Sequence, residues 1–500
     1  MGLCKLGSVG GTDAAAKVFS EESTMKLYEA CTALLNGTEE EKSSASTEEK
    51  TSKTTTTPKK KGEEDVKKWA ADGLAYLSLD ADVKEALIDD RRSLAALVEL
   101  GQRGDLSVLF GVVTTFVNLT NSYDKEELLP ELVELAKFSK HHVPEEHEMD
   151  AAEFVAGRCR ALAELHVTAA MVALTRSHSK TSRESISRVF NALCEVKELR
   201  GQVVQEGGVA ALLKLATEQN TDLGKQLAGQ ALARIAITND PKVVFRDQRS
   251  VEVVGPIMAL LHPDRKGLQN FEALMALTNL AQTSPAVRNR ILKDGGFASI
   301  EQYAYEEHRE LRRAAVQCIV NLILSEAVVK YYEAEGSDRT KYLVLLCSSI
   351  CGGLSDEEDK EEEDKDGDGD GKEAEAEAEE DVDLETVSAA AGALAMLTSV
   401  SPKAAQKVFT AKHWLPTLIA LVSSKNFDLA HRGVVVVHNL IAASEEAAAK
   451  VVEGPLLELL MAIVRPEVDD IPEKIKEVAR DALARAEELK LIKNIEKLST

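Results

Sequence analysis

The sequence predicts an all-α fold, a right-handed armadillo-repeat superhelical solenoid, and three observations predict it. A short helical signature, Ala-Leu-x-Asn-Leu in its fullest form, recurs through the chain. Its fourth position falls at Tyr76, Asn118, Asn191, Arg234, Asn279, Asn321, Met396, Asn439 and Arg485. Six of the eight intervals are the roughly 40 to 47 residues of an armadillo or HEAT unit. Composition agrees: aromatics are 4% of a chain that is 44% hydrophobic, which suits small side chains interdigitating between many close helices. Five hundred residues also exceed one ordinary core, so a core that grows by repetition is the economical solution.

Taken in order, residues 37–61 are Glu, Ser, Thr and Lys with almost no apolar side chain (EEEKSSASTEEKTSKTTTTPKKK). Such a stretch cannot offset its ordering entropy by burial and is expected to be a mobile insertion. The signature then appears as GLAYL around Tyr76, TFVNL around Asn118 and VFNAL around Asn191. The long step between the last two contains an extra stretch, Tyr123 to Ala152. ALARI, ALTNL and CIVNL follow around Arg234, Asn279 and Asn321. A second long step is explained by the acidic run 356–381, expected to be another mobile loop. ALAML, VHNL and ALARA complete the series.

Units open on glycine corners, as in Glu206-Gly207-Gly208-Val209, Asp294-Gly295-Gly296-Phe297 and Glu453-Gly454-Pro455-Leu456. Glycine permits the positive φ of a sharp interhelical turn, and the i, i+3, i+4 apolar spacing that follows gives a buried stripe. A unit of this kind cannot bury its stripe alone, so neighbours stack and present one continuous concave face.

Charge and cysteine usage exclude several function classes. The net charge is -24, of which the run 356–381 carries -14, with 17 Asp or Glu against three Lys. An acidic surface repels phosphate backbones and anionic lipid, so no nucleic-acid or membrane partner is expected. No apolar run is of membrane-spanning length, no secretory leader opens the sequence, and the position-6 residue of a myristoylation signal is Leu6; a cytoplasmic protein is expected. The seven cysteines lack metal-ligand spacing and mostly sit in apolar helical runs, which reads as reduced and buried. No phosphate-cradling loop, nucleophile elbow or zinc-protease helix is present, so neither enzyme activity nor a cofactor is expected.

Two metal-like groupings are weighed and set aside. His141, His142 and His147 with Glu145 and Glu146 lie in a polar connector around Pro144. Asp364 to Glu375 (DKDGDGDGKEAE) matches a calcium-loop pattern but has Gly371 where an apolar residue belongs, and its flanks carry no amphipathic helices. No metal is expected.

The recurring asparagine carries the functional reading. A short amide at each repeat can pair with the backbone of an extended chain, which nominates Asn118, Asn191, Asn279, Asn321 and Asn439. Asn270, Glu272, Arg313, Gln317 and Arg432 supply neighbouring polar groups, and Phe271 an apolar anchor. The competing reading is that these amides bridge adjacent repeats. A scaffold or adaptor taking short linear peptides is the alternative function, although Trp69 and Trp414 are the only tryptophans and neither neighbours a repeat asparagine.

Several longer stretches resemble a known family. Met1 to Asp13 (MGLCKLGSVGGTD), Lys68 to Leu77 (KWAADGLAYL), Val203 to Val209 (VVQEGGV), Asn270 to Ala281 (NFEALMALTNLA) and His431 to Val437 (HRGVVVV) are similar to the central and UCS domains of the Unc/Cro/She myosin chaperones. That resemblance implies residues 1–164 as central or neck armadillo repeats and 165–500 as the UCS domain. It implies a cytosolic chaperone that binds the myosin motor domain, promotes its folding and assembly without an ATPase of its own, and supports muscle thick filaments. The client groove it implies lies from about Leu165 onward, with Asn270, Phe271, Asn279, Arg313 and Asn321 as carried-over positions. Animal members also begin with a tetratricopeptide domain that docks the ninety-kilodalton heat-shock chaperone; nothing with that grammar precedes Leu3.

Overall fold

The computed structural model describes residues 3–4, 21–37, 58–121, 147–216, 219–351, 383–465 and 470–492. All regular structure among them is helical, and the fold is an all-α solenoid. The chain divides into two compact units, Met1–His262 and Pro263–Thr500. The 164/165 boundary implied by the resemblance falls between the helices Ala152–Glu164 and Val167–Leu174.

In the first unit four long helices carry the signature: α1 (Pro58–Leu77), α2 (Leu109–Thr120), α3 (Lys180–Glu195) and α4 (Asp222–Thr238). Each packs on the next, α1 on α2, α2 on α3 and α3 on α4. Two further helices precede each of the last three: Ala81–Asp89 and Arg91–Gln102, then Ala152–Glu164 and Val167–Leu174, then Arg200–Gln205 and Gly208–Leu215. Helix α1 begins at Pro58, inside the insertion expected to run to Lys61; proline at the first helical position has its φ preset and no N–H to satisfy.

The second unit repeats this grammar with α5 (Gly267–Ala281), α6 (Arg309–Leu322), α7 (Leu384–Val400), α8 (Phe427–Ala443) and α9 (Glu473–Glu488) stacked in sequence. Short helix pairs lie between them, Pro285–Leu292 with Gly296–Ala304, Glu326–Glu333 with Arg339–Ser348, Pro402–Val408 with Trp414–Val422, and Glu445–Val452 with Pro455–Val464. Side-chain caps fix the starts of several: Asp383 accepts from the Thr386 amide, Ser401 from Ala404 and Asn426 from Asp428 and Leu429.

The glycine corners divide into two kinds. Gly207 and Gly295 have φ of 86° and 82°, the left-handed turn that a side chain resists. Gly454 instead is extended, with φ -108°, because the following Pro455 restricts its neighbour to that region. Past the corners, aliphatic stripes carry the core. In α5 they are Ala273, Leu274, Ala276, Leu277, Leu280 and Ala281, and in α8 Leu429, Val434, Val436, Val437, Leu440 and Ile441. Each fully buried leucine or isoleucine contributes about 2 kcal/mol of transfer free energy, so the stack is held by many small contributions along its length.

Among the described residues no single helix is long and apolar enough to cross a membrane. The acidic run 356–381, the calcium-like sequence within it and most of the stretch 123–152 lie outside the described residues.

Candidate partner-binding face

Two long helices of the second unit, α5 and α8, share one exposure pattern, and α6 and α7 follow it at four of its five positions. In α5 and α8 the partly exposed positions are the signature residue, the one before it, and those four, seven and eight residues earlier. These offsets fall on one side of a helix. That side is the candidate face, and the sequence-nominated residues distribute over it unevenly.

The asparagines sit on it in equivalent places, and three of them already donate through the amide nitrogen. Asn321 Nδ2 donates to the Thr278 carbonyl at 3.0 Å, 43 residues back. Asn439 Nδ2 donates to the Ala395 carbonyl at 3.3 Å and to Thr398 Oγ1 at 3.1 Å. In the first unit Asn118 repeats the pattern on Ala75 O and Ser78 Oγ, both at 3.0 Å. The acceptor in each case is the carbonyl just before the signature position of the preceding repeat. A helical carbonyl retains a second lone pair after its i+4 bond, and the stacking distance brings one short amide within reach of it. At Asn191 the polarity reverses: Arg234 of the next repeat donates to its carbonyl and Oδ1 at 3.1 and 3.4 Å. Asn118 and Asn439 thus direct two amide donor bonds each to the preceding repeat, which corrects the expectation that they offer donors to a bound chain, whereas Asn321 uses one of its two N–H groups to bridge repeats. Asn279 is half-buried at the same register.

Asn270 is a second correction. It is 3% exposed and its Oδ1 accepts from the Tyr303 hydroxyl at 2.8 Å; it stands nine residues before the signature, which turns it into the core. Arg313 reaches Glu310 on its own helix at 2.5 Å and Glu385 on α7. Arg432 donates to the carbonyl and hydroxyl of Ser388 on α7 and passes over Gly392, where an added Cβ would meet it in ordinary van der Waals contact at 3.5 Å. Both arginines thus clamp neighbouring repeats. Phe271, Glu272 and Gln317 remain as half-exposed members of the face.

Four half-exposed apolar residues escaped nomination from the sequence: Met275, Val320, Met396 and Val435. Their signal was available, because Met275 and Val435 stand four residues before a signature position. With Phe271 they place half-exposed apolar side chains on each of α5, α6, α7 and α8, at differing positions along the face. Thioether and aromatic side chains adapt to varied partners, so such side chains can accept an extended apolar segment whatever its sequence.

At the N-terminal ends of α6 and α7 the face opens into a hollow of about 590 Å³ lined by His308, Arg309, Glu310, Arg313, Asp383, Leu384 and Glu385. Burial pushes the Asp383 carboxyl up, but its bonds to Thr386 and the nearby Arg309 and Arg312 outweigh this and hold it below the usual carboxylate range. Elsewhere the thiols of Cys159, Cys194, Cys318 and Cys347 are pushed up to about 12, chiefly by burial, which keeps them protonated at neutral pH. His147, the described histidine of the polar connector, accepts from the Met149 amide, which starts a short helical turn.

Fold and face together define a helical-repeat protein whose long helices carry half-exposed apolar side chains among inter-repeat polar clamps. No family model matches the chain. It is 39% identical over 502 residues to Protein unc-45 homolog B of Xenopus laevis, covering 99% of this chain and 48% of that protein. Among solved structures it matches UNC-45 from Drosophila melanogaster with a TM-score of 0.77 and 45% identity, over 98% of this chain and 55% of the other. It also matches the myosin chaperone UNC-45 from C. elegans in complex with a Hsp90 peptide, with a TM-score of 0.71 and 29% identity over 97% and 44% of the two chains. The chain belongs to the UNC-45 family, and it spans about half the length of the curated relatives it matches.

Proposed function

We propose that this chain is the client-binding part of a myosin-directed chaperone, which holds a partly folded motor domain against its second unit and promotes its folding and assembly without hydrolysing ATP. The observation that carries this reading is the set of half-exposed apolar residues Phe271, Met275, Val320, Met396 and Val435 on successive long helices of the family's fold. Chaperone work needs apolar surface that stays open without collapsing on itself, and stacked helices supply that rigidity. The Hsp90 peptide bound by the worm relative supports a heat-shock chaperone as a further partner of the whole protein, working in the cytoplasm.

The test is thermal aggregation of a purified myosin head with and without equimolar chain. Protection is expected, and Phe271→Ser with Met275→Gln is expected to weaken it about tenfold, the loss of one anchor cluster. Changes at Asn321 or Asn439 are unsuitable probes, because they disturb the stacking itself. Full protection by the Phe271/Met275 variant would remove these side chains from the mechanism.

A further inference from the structure

The first unit has an aromatic cluster that the client reading does not use. Trp69, Asp72 and Tyr76 occupy positions i, i+3 and i+7 of α1 and so share one side of that helix. Trp69 is 56% exposed and Phe110, at the start of α2, is 50% exposed. The Phe110 and Tyr76 rings lie 5.7 Å apart and tilted. Between the helices is Asp72, 6% exposed, with an Oδ1 that has no hydrogen-bond partner. The backbone of α2 passes it so closely at Gly111 that an added Cβ would stand 2.8 Å from that oxygen. The Gly111 amide and Lys68, one turn earlier, are the favourable groups acting on the carboxylate.

From this juxtaposition we infer a second recognition surface, on the first unit, that takes a basic segment of a partner protein by seating one arginine side chain against Trp69, Tyr76 and Phe110 above the Asp72 carboxylate. Ring faces attract a cation, and a planar guanidinium also stacks on them. The Asp72 oxygen is already shut off from water without a partner, and a cation held nearby offsets the cost of that buried charge where an apolar occupant would not. Arginine fits better than lysine, whose compact, strongly hydrated charge gains less from a ring face. The surface stands on α1 and α2 and does not depend on what the second unit binds.

The chain's two tryptophans make the test direct. Trp414 packs edge-on against Phe409 at 4.8 Å, so Trp414→Phe keeps an aromatic there and leaves Trp69 as the sole tryptophan reporter. Its emission is followed while a synthetic Arg-Gly repeat peptide is added at about 0.15 M salt, which screens exposed charges beyond roughly 8 Å; Lys-Gly and Glu-Gly peptides serve as comparisons. A saturable change is expected with the arginine peptide, a weaker one with lysine and none with glutamate. Asp72→Asn and Phe110→Ala are each expected to weaken arginine-peptide binding roughly tenfold. Phe110 is exposed enough for its variant to fold, and circular dichroism checks both. Unchanged affinity in the two variants would mean attraction to the acidic chain as a whole and would overturn the inference, as would a Trp69 signal that does not respond.

Discussion

The two units solve the same problem, joining one repeat to the next, with different chemistry. In the first, Lys84 Nζ contacts both oxygens of Asp150 at 2.7 Å, and Arg158 reaches Asp150 at 2.8 Å and Glu85 at 3.0 Å. Lys84, Asp150 and Arg158 are 4%, 3% and 1% exposed. In the second, the corresponding outer-layer join is Arg339 with Glu301, bidentate at 2.6 and 2.8 Å and partly exposed. Arg339 also lies over the Phe297 and Tyr331 rings. A buried cluster is unforgiving of a missing member, because the remaining charges have lost access to water; a stacked, half-wet pair degrades gently. The first unit should therefore be brittle at its join and the second tolerant.

The largest effect should come from Asp150→Ala, which leaves two buried cations without their shared carboxylate. A loss of about 3 to 5 kcal/mol is expected, read as the urea midpoint reported by Trp69 in a Trp414→Phe background. A shift below 1 kcal/mol would mean that water reaches Lys84 and Arg158. The inter-repeat amide is the next probe. Asn321→Ala should cost about 1 kcal/mol, the usual net worth of one hydrogen bond; Asn321→Asp should cost about 2 kcal/mol, because a carboxylate oxygen then faces the Thr278 carbonyl. Equal costs for the two would place the Nδ2 contact outside the energetics. Arg339→Lys, which loses the fork but keeps the charge, should cost about 1 kcal/mol or less, followed through Trp414.

The repeat architecture was legible because it is written in periodicity: a buried stripe and a signature at fixed spacing depend only on local helix geometry. The common side on which the asparagines lie was legible for the same reason, as Asn279, Asn321 and Asn439 occupy one register. What each side chain does there was not, since an amide that recurs every repeat is equally suited to a bound chain and to the neighbouring helix, and only the stacking distance decides. Asn270 misled because it adjoins Phe271 in sequence, yet one helical step of about 100° turned it to Tyr303 and the core. The ionic cluster around Asp150 was invisible because its members, from Lys84 to Arg158, come together across a long stretch of chain with no periodic relation to one another.

The finest test lies within the first unit, at Asp72. Burial is the main cause of its raised pKa, with Lys68 and the Gly111 amide opposing. A carboxyl raised in the folded state binds its proton more tightly there than in the unfolded chain, so its ionised form at neutral pH opposes folding, and that penalty fades as pH falls through the folded-state value. Asp72→Asn keeps the shape without the charge and should add about 1 kcal/mol or less at pH 7. The gain should shrink towards pH 4, near the ordinary carboxylate range. Carboxylates held low in the fold, such as Glu99 and Asp105, respond in the opposite sense, but they are common to both proteins and cancel in the difference. A variant that folds more tightly yet binds the arginine peptide less well would separate the two roles of this carboxylate, stability sacrificed for recognition. A stability difference that does not change with pH would show instead that Asp72 is not ionised in the folded chain at neutral pH.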